Sequence, residues 1–130
     1  MKESNQKQYA GVWMDNVHAI IMTRNVSEDS HEFSILEKVK AIEHHGGSSE
    51  HGINSAKQME EQRYFKSVSA HLLPYDEILV FGTGMAQEQF QNFLKEDAQF
   101  NHKKIVIDSS EHLTDPQMIA KVGDYFKGHQ

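Results

Sequence analysis

The sequence predicts an α/β domain on a mixed five-stranded sheet, ordered β-β-β-α-β-α-β-α with helices on both faces. Three observations carry this. Three β-rich stretches come first, with no helical pattern between them. A nearly continuous apolar run, Glu77 to Phe81, follows one long helical segment and reads as a strand covered on both faces. From there strand and helix patterns alternate to the end of the chain, as parallel pairing requires.

Residues 1–8 are polar and predict a disordered tail, with a single α/β domain over 9–128. Tyr9 to Asp15 and His18 to Thr23 are β-rich runs around an Asp/Asn turn, the pattern of a hairpin. Glu32 to Val39 alternates through Phe33, Ile35 and, less cleanly, Val39, which gives a third strand. Glu43 to Ser55 holds three glycines, three histidines and three serines without apolar periodicity, and reads as a long loop. Ala56 to Leu73 is helical, with Tyr64, Phe65, Val68 and Leu72 on one face and Pro74 ending it. After the Glu77–Phe81 strand, Gly82-Thr83-Gly84 turns into a helix over about Met85–Asp97, whose inner face carries Ala86, Phe90, Phe93 and Leu94. Lys104 to Asp108 is the fifth strand. Thr114-Asp-Pro-Gln117 has the residues of a capping box with proline in the first turn, and starts a helix that buries Met118 or Ile119, Val122, Tyr125 and Phe126. A meander followed by strand–helix units is the ribonuclease H-like topology. A flavodoxin-like sheet fits less well, because its first strands would need helices between them.

Composition narrows the function. The 130 residues have no cysteine, so disulfides, thiolate nucleophiles and cysteine zinc sites are excluded. No apolar stretch approaches the roughly 20 residues of a membrane-spanning helix, and the N-terminus does not resemble a signal peptide. A cytoplasmic protein without a membrane partner is expected. The net charge of −6 argues against a domain that binds nucleic acid by neutralising many phosphates.

Three features could carry chemistry. Asp15 and Asp108 end the first and fifth strands, a pairing that invites a two-metal nuclease reading. The fourth strand, however, ends in Phe81-Gly82-Thr83 where another acid would be needed, so a turn residue and a strand-end cap are the readings preferred. Gly82, Thr83 and Gly84 lie where a strand meets a helix, and their backbone N–H groups could hold an anion. Gln87 stands where a dinucleotide fingerprint needs its third glycine, and a tight turn that lets the helix pack closely on the sheet explains both glycines without a ligand.

The third feature is the loop: His44, His45, Gly46, Gly47, Ser48, Ser49, Glu50, His51 and Gly52. His44, His45 and His51, with Glu43 and Glu50, are chemically able to bind zinc, though adjacent histidines do not readily face one ion. Ser48 or Ser49 could be a nucleophile, but nothing supplies the orienting acid. A glycine-tipped loop that contacts a large partner is the remaining functional reading.

Val12-Trp-Met-Asp15 with His18-Ala-Ile-Ile, Phe65 to Leu72, Asp76-Glu-Ile-Leu-Val-Phe-Gly-Thr-Gly-Met-Ala86 and Leu113-Thr-Asp-Pro-Gln-Met-Ile-Ala-Lys-Val122 together resemble the central domain of class I release factors and Pelota-like proteins. They resemble still more closely the small prokaryotic proteins related to that domain. The resemblance covers most of residues 9–127. It implies a ribosome-facing loop after the third strand, which in true release factors carries Gly-Gly-Gln. Gly46-Gly47 falls in the matching region with Ser48 in place of the glutamine, which argues against peptidyl-tRNA hydrolysis.

The expectation is therefore a non-enzymatic, release-factor-related domain contacting the ribosome or a translation factor, in rescue or hibernation. Its contact site is His44, His45, Gly46, Gly47, Ser48, Ser49, His51 and Gly52, and no cofactor is expected. The competing readings are a small metal-binding protein or enzyme using loop 43–52, and a homo-oligomeric interaction module.

Overall fold

The computed structural model describes residues 7–24, 32–41 and 50–127, and the side chains of these except for 50–58. The strands are β1 (Tyr9–Met14), β2 (His18–Arg24), β3 (Phe33–Lys40), β4 (Glu77–Gly82) and β5 (Lys104–Ser109). The helices are α1 (Glu50–Ala70), α2 (Ala86–Lys95) and α3 (Asp115–Phe126), with a 3-10 turn at Ala98–Phe100. The expected element order is met.

The sheet order is β3-β2-β1-β4-β5. β1 pairs antiparallel with β2 and parallel with β4, β2 is antiparallel to β3, and β4 is parallel to β5. This is the ribonuclease H-like topology. β1 and β4 are buried along their whole lengths, as the apolar run in β4 predicted.

Alternation along each strand divides the core into two layers. Ala10, Val12 and Met14 of β1 with Ile78 and Val80 of β4 meet Tyr64, Phe65 and Val68 of α1, Leu72 in the turn after it, and Phe90 and Leu94 of α2. On the other face Tyr9, Trp13, Leu79 and Phe81 meet Met118, Val122 and Phe126 of α3. Burying each of the Val, Leu, Ile, Phe and Met side chains among these is worth about 1.5–3 kcal/mol, so the two layers hold helices on both faces of the sheet. Gly11 lies under α3, where a Cβ would strike the Val122 side chain.

The imperfect alternation of β3 has a structural cause. Ile21 pairs with Glu37 and Met22 with Ile35, so Leu36 is an extra residue in a β-bulge. Phe33 and Ile35 face the α3 layer, whereas Val39, beyond the bulge, packs on the α1–α2 layer. One inserted residue reverses which face the following side chains take.

Three boundaries differ from expectation. α1 begins at Glu50, six residues before the Ala56 start that the sequence suggested, so Glu50–Ser55 is helix and not loop. The apolar periodicity that marks a packed helix begins only near Tyr64, and the polar turns before it carry no such signal. The α1 helix ends at Ala70, with a turn over 71–74 before β4. α2 is shorter, ending at Lys95 before the 3-10 turn that Asp97 caps by accepting from Gln99 N–H at 2.9 Å. No helix among the described residues is long and apolar enough to cross a membrane.

Candidate functional site at the carboxyl edge of the sheet

β1, β3, β4 and β5 all run in one direction, because β3 is antiparallel to β2, which is antiparallel to β1. Four connections therefore leave the same edge: the Asp15–Val17 turn, the segment after Lys40, Gly82–Met85 and Ser110–Thr114. The carboxyl edge is where open α/β sheets place ligand-binding loops. Topology thus gathers features scattered over a hundred residues of sequence.

The first connection is fixed by Asp15. Its Oδ1 accepts from Val17 N–H at 2.8 Å and His18 N–H at 2.7 Å, while its own N–H donates to His18 O at 2.9 Å. Ala41 N–H donates to Val17 O at 2.8 Å, which ties the end of β3 to this turn. Tyr64, the first buried residue of α1 among the described side chains, donates its hydroxyl to the Asp15 carbonyl at 2.9 Å. Burial, and then the Asp15 charge, push the Tyr64 phenol far above the ordinary tyrosine range, so it remains a neutral donor.

Asp108 stands at the end of β5. It pairs with Lys121 at 3.1 Å, and its other oxygen accepts from Ser109 N–H at 2.9 Å. The Lys121 hydrogen bond first, and the Ser109 amide second, hold its carboxyl below the usual range. Each acid thus performs the structural task preferred from sequence. Among the described residues no group of three His, Cys, Asp or Glu side chains is placed to hold a metal ion.

At the third connection, Gly82 accepts from Ser110 N–H at 2.7 Å and Gln87 Nε2 at 3.3 Å through its carbonyl. A Cβ on Gly82 would strike the Met14 carbonyl oxygen, so glycine permits the close approach of β4 to β1. The expectation that helix packing explains both glycines needs correction. Gly82 yields to a neighbouring strand, and a Cβ on Gly84 would meet open space. Neither lies in the left-handed region. Gln87 is buried, and its Oε1 has no partner among the described residues. Thr83 and Gly84 are exposed, and Met85, 64% exposed at the N-cap of α2, makes no side-chain cap.

Of the loop residues singled out from sequence, His44, His45, Gly46, Gly47, Ser48 and Ser49 lie outside the described residues. His51 and Gly52 belong to the backbone of α1. Their helical placement separates them from the loop in which the sequence set them. At about 1.5 Å per residue, Glu50 stands about 21 Å along the α1 axis from Tyr64, the first buried residue among the described side chains of α1. Met59, between them, is 54% exposed. Ala41, beside the Asp15 turn, and Glu50, the first residue of α1, are separated in sequence by the eight residues 42–49.

Sequence reasoning missed one contact here. Trp13, buried under the edge, lies 5.6 Å from the His112 ring on the β5–α3 connection, and its Nε1 has no partner among the described residues. Only strand pairing brings residues 13 and 112 together, so no local pattern could have announced it.

No protein-family model matches the sequence, and no curated protein matches it. Solved structures do. Pelota from Archaeoglobus fulgidus superposes with a TM-score of 0.63 over 95% of this chain at 15% identity. The fold is shared with Pelota. The archaeal translation termination factor aRF1 matches with a TM-score of 0.53 over 90% of the chain at 12% identity. Archaeal Pelota in a ribosome-bound model with ABCE1 matches with a TM-score of 0.60 over 92% at 22% identity. The chain spans about a third of each: 32% of both Pelota chains and 34% of aRF1. At the level of fold, the resemblance to Pelota-like proteins and release factors read from the sequence is met.

Proposed function

We propose that this chain is a release-factor-related domain that contacts the translation machinery, without hydrolase activity, in ribosome rescue or hibernation. The observation that carries the reading is where β3 ends and where α1 begins on either side of residues 42–49. β3 ends with Lys40 at the carboxyl edge of a Pelota-like fold, and α1 begins at Glu50. The likeness to ribosome-bound Pelota supports a ribosomal partner. In this reading His44, His45, Gly46, Gly47, Ser48, Ser49, His51 and Gly52 form the contact, the last two of them on α1. Ser48, where release factors have glutamine, supports contact without hydrolysis.

Sedimentation of tagged protein through sucrose gradients, with and without nutrient stress, tests the reading. Co-migration with ribosomes, reduced when Gly46 and Gly47 are both replaced by alanine, is expected. Absence of ribosomal co-migration under every condition overturns it.

A further inference from the structure

The two edges of the sheet are treated differently. β3 carries the bulge at Leu36 and the charged residues Glu37, Lys38 and Lys40, and Lys38 is held by Asp115 of α3 at 2.9 Å. Bulges and charges on an edge strand discourage pairing with another chain. β5, the opposite edge, has a regular register with β4 and Ile105-Val106-Ile107 at its centre.

Two bonds fix which backbone groups of β5 point outward. Lys104 N–H donates to Asp76 O at 3.0 Å and Ser110 N–H to Gly82 O at 2.7 Å, both toward β4. Alternation then turns Val106 and Asp108 toward β4, and Ile105, Ile107 and Ser109 away from it. The Ser109 amide is taken by the Asp108 carboxylate. The N–H and C=O of Ile105 and Ile107 have no hydrogen-bond partner among the described residues.

At the carboxyl end of this edge, between Asp108 and Ser109 of β5 and the α3 helix, lies a groove of about 750 Å³. Leu113, Ala120 and Tyr125 give it apolar surface over the buried Leu79, and Asp108, Glu111 and Asp124 give it three carboxylates. Its one cation, Lys121, is already paired with Asp108 and lies 5.6 Å from the centre of the Phe81 ring. The groove therefore has acceptors for a cation and apolar surface for an aliphatic stem.

We propose that the β5 edge binds an extended, basic segment of another polypeptide as a sixth strand, with alternate lysine or arginine side chains lying in the β5–α3 groove. Main-chain hydrogen bonds to Ile105 and Ile107 supply the pairing, and Glu111 and Asp124 select positive charge. A second copy of this chain fits poorly, because pairing edge to edge would bring together two sets of three carboxylates on chains of net charge −6. The inference stands apart from the proposed ribosomal contact, since it uses the opposite edge strand from the one that leads into 42–49.

Fluorescence anisotropy of a labelled, end-blocked Lys-Val-Lys-Val-Lys-Val-Lys peptide tests it. Saturable binding is expected, weakened roughly tenfold in the Glu111→Lys/Asp124→Lys variant, whose two sites are exposed. A peptide N-methylated at alternate amides, or one with glutamate for lysine, should lose binding. In 15N spectra the amides of Ile105 and Ile107 should shift on addition of the lysine peptide. No saturable binding overturns the proposal, as do equal binding of the N-methylated peptide or shifts confined to other elements. Self-association through Ile105 and Ile107 in sedimentation equilibrium overturns it in favour of a second copy.

Discussion

The Tyr64 hydroxyl donates to the Asp15 carbonyl at 2.9 Å, and this one bond joins the base of α1 to the turn between β1 and β2. Both residues are at the edge from which segment 42–49 leaves. The bond thus couples the packing of α1 to the β1–β2 turn.

Removing this hydroxyl tests the coupling. Tyr64→Phe keeps the ring among Phe65 and its neighbours but leaves the carbonyl without its donor, and should cost about 1 kcal/mol in urea unfolding. The pH dependence has a definite sign. A phenol raised in the folded state above its ordinary value of 10.0 contributes stability that is complete below that value. The contribution is lost as pH rises beyond it toward the folded value. Wild type should therefore lose stability above about pH 10 more steeply than Tyr64→Phe, compared by denaturation midpoint across the alkaline range.

The two glycines of the β4–α2 turn should respond unequally to alanine. Gly82→Ala drives a methyl into the Met14 carbonyl oxygen, a backbone atom held within the sheet. A loss of roughly 1–3 kcal/mol, as for overpacking, is expected in chemical denaturation. Gly84→Ala meets nothing and needs no unusual φ, so its effect should lie within about 0.5 kcal/mol. Equal destabilisation by both would refute the steric account.

Asp108 offers a weaker test, because its side chain is 52% exposed and solvent screens the Lys121 pair. Asp108→Asn should cost less than about 1 kcal/mol at neutral pH. A carboxyl lowered in the folded state stabilises above its ordinary value of 3.8, and the benefit disappears as pH falls through the folded value. Thermal midpoints measured on the acid side should therefore converge for wild type and Asp108→Asn.

The α3 cap is a control read directly from sequence. The Thr114 hydroxyl accepts from Gln117 N–H at 3.3 Å, and Gln117 Oε1 accepts from Thr114 N–H at 2.9 Å. Thr114→Ala should cost about 1 kcal/mol, and Thr114→Ser should recover most of it, by thermal unfolding.

The chain itself determined whatever depends on residues close in sequence. The capping box at Thr114, the buried run of β4 and the inner faces of all three helices followed from local chemistry and side-chain period. The start of α1 did not, since Glu50–Ser55 is helical without an apolar face to mark it. Nor did the reversal of β3 at Leu36, visible in sequence only as a fault in alternation. The tertiary structure alone decided that β1 lies between β2 and β4, that Gly82 must yield to Met14, and that Tyr64 meets Asp15. The carboxyl edge is likewise a product of strand pairing. Such contacts join residues tens of positions apart, and their energies come from packing and register that no local window contains.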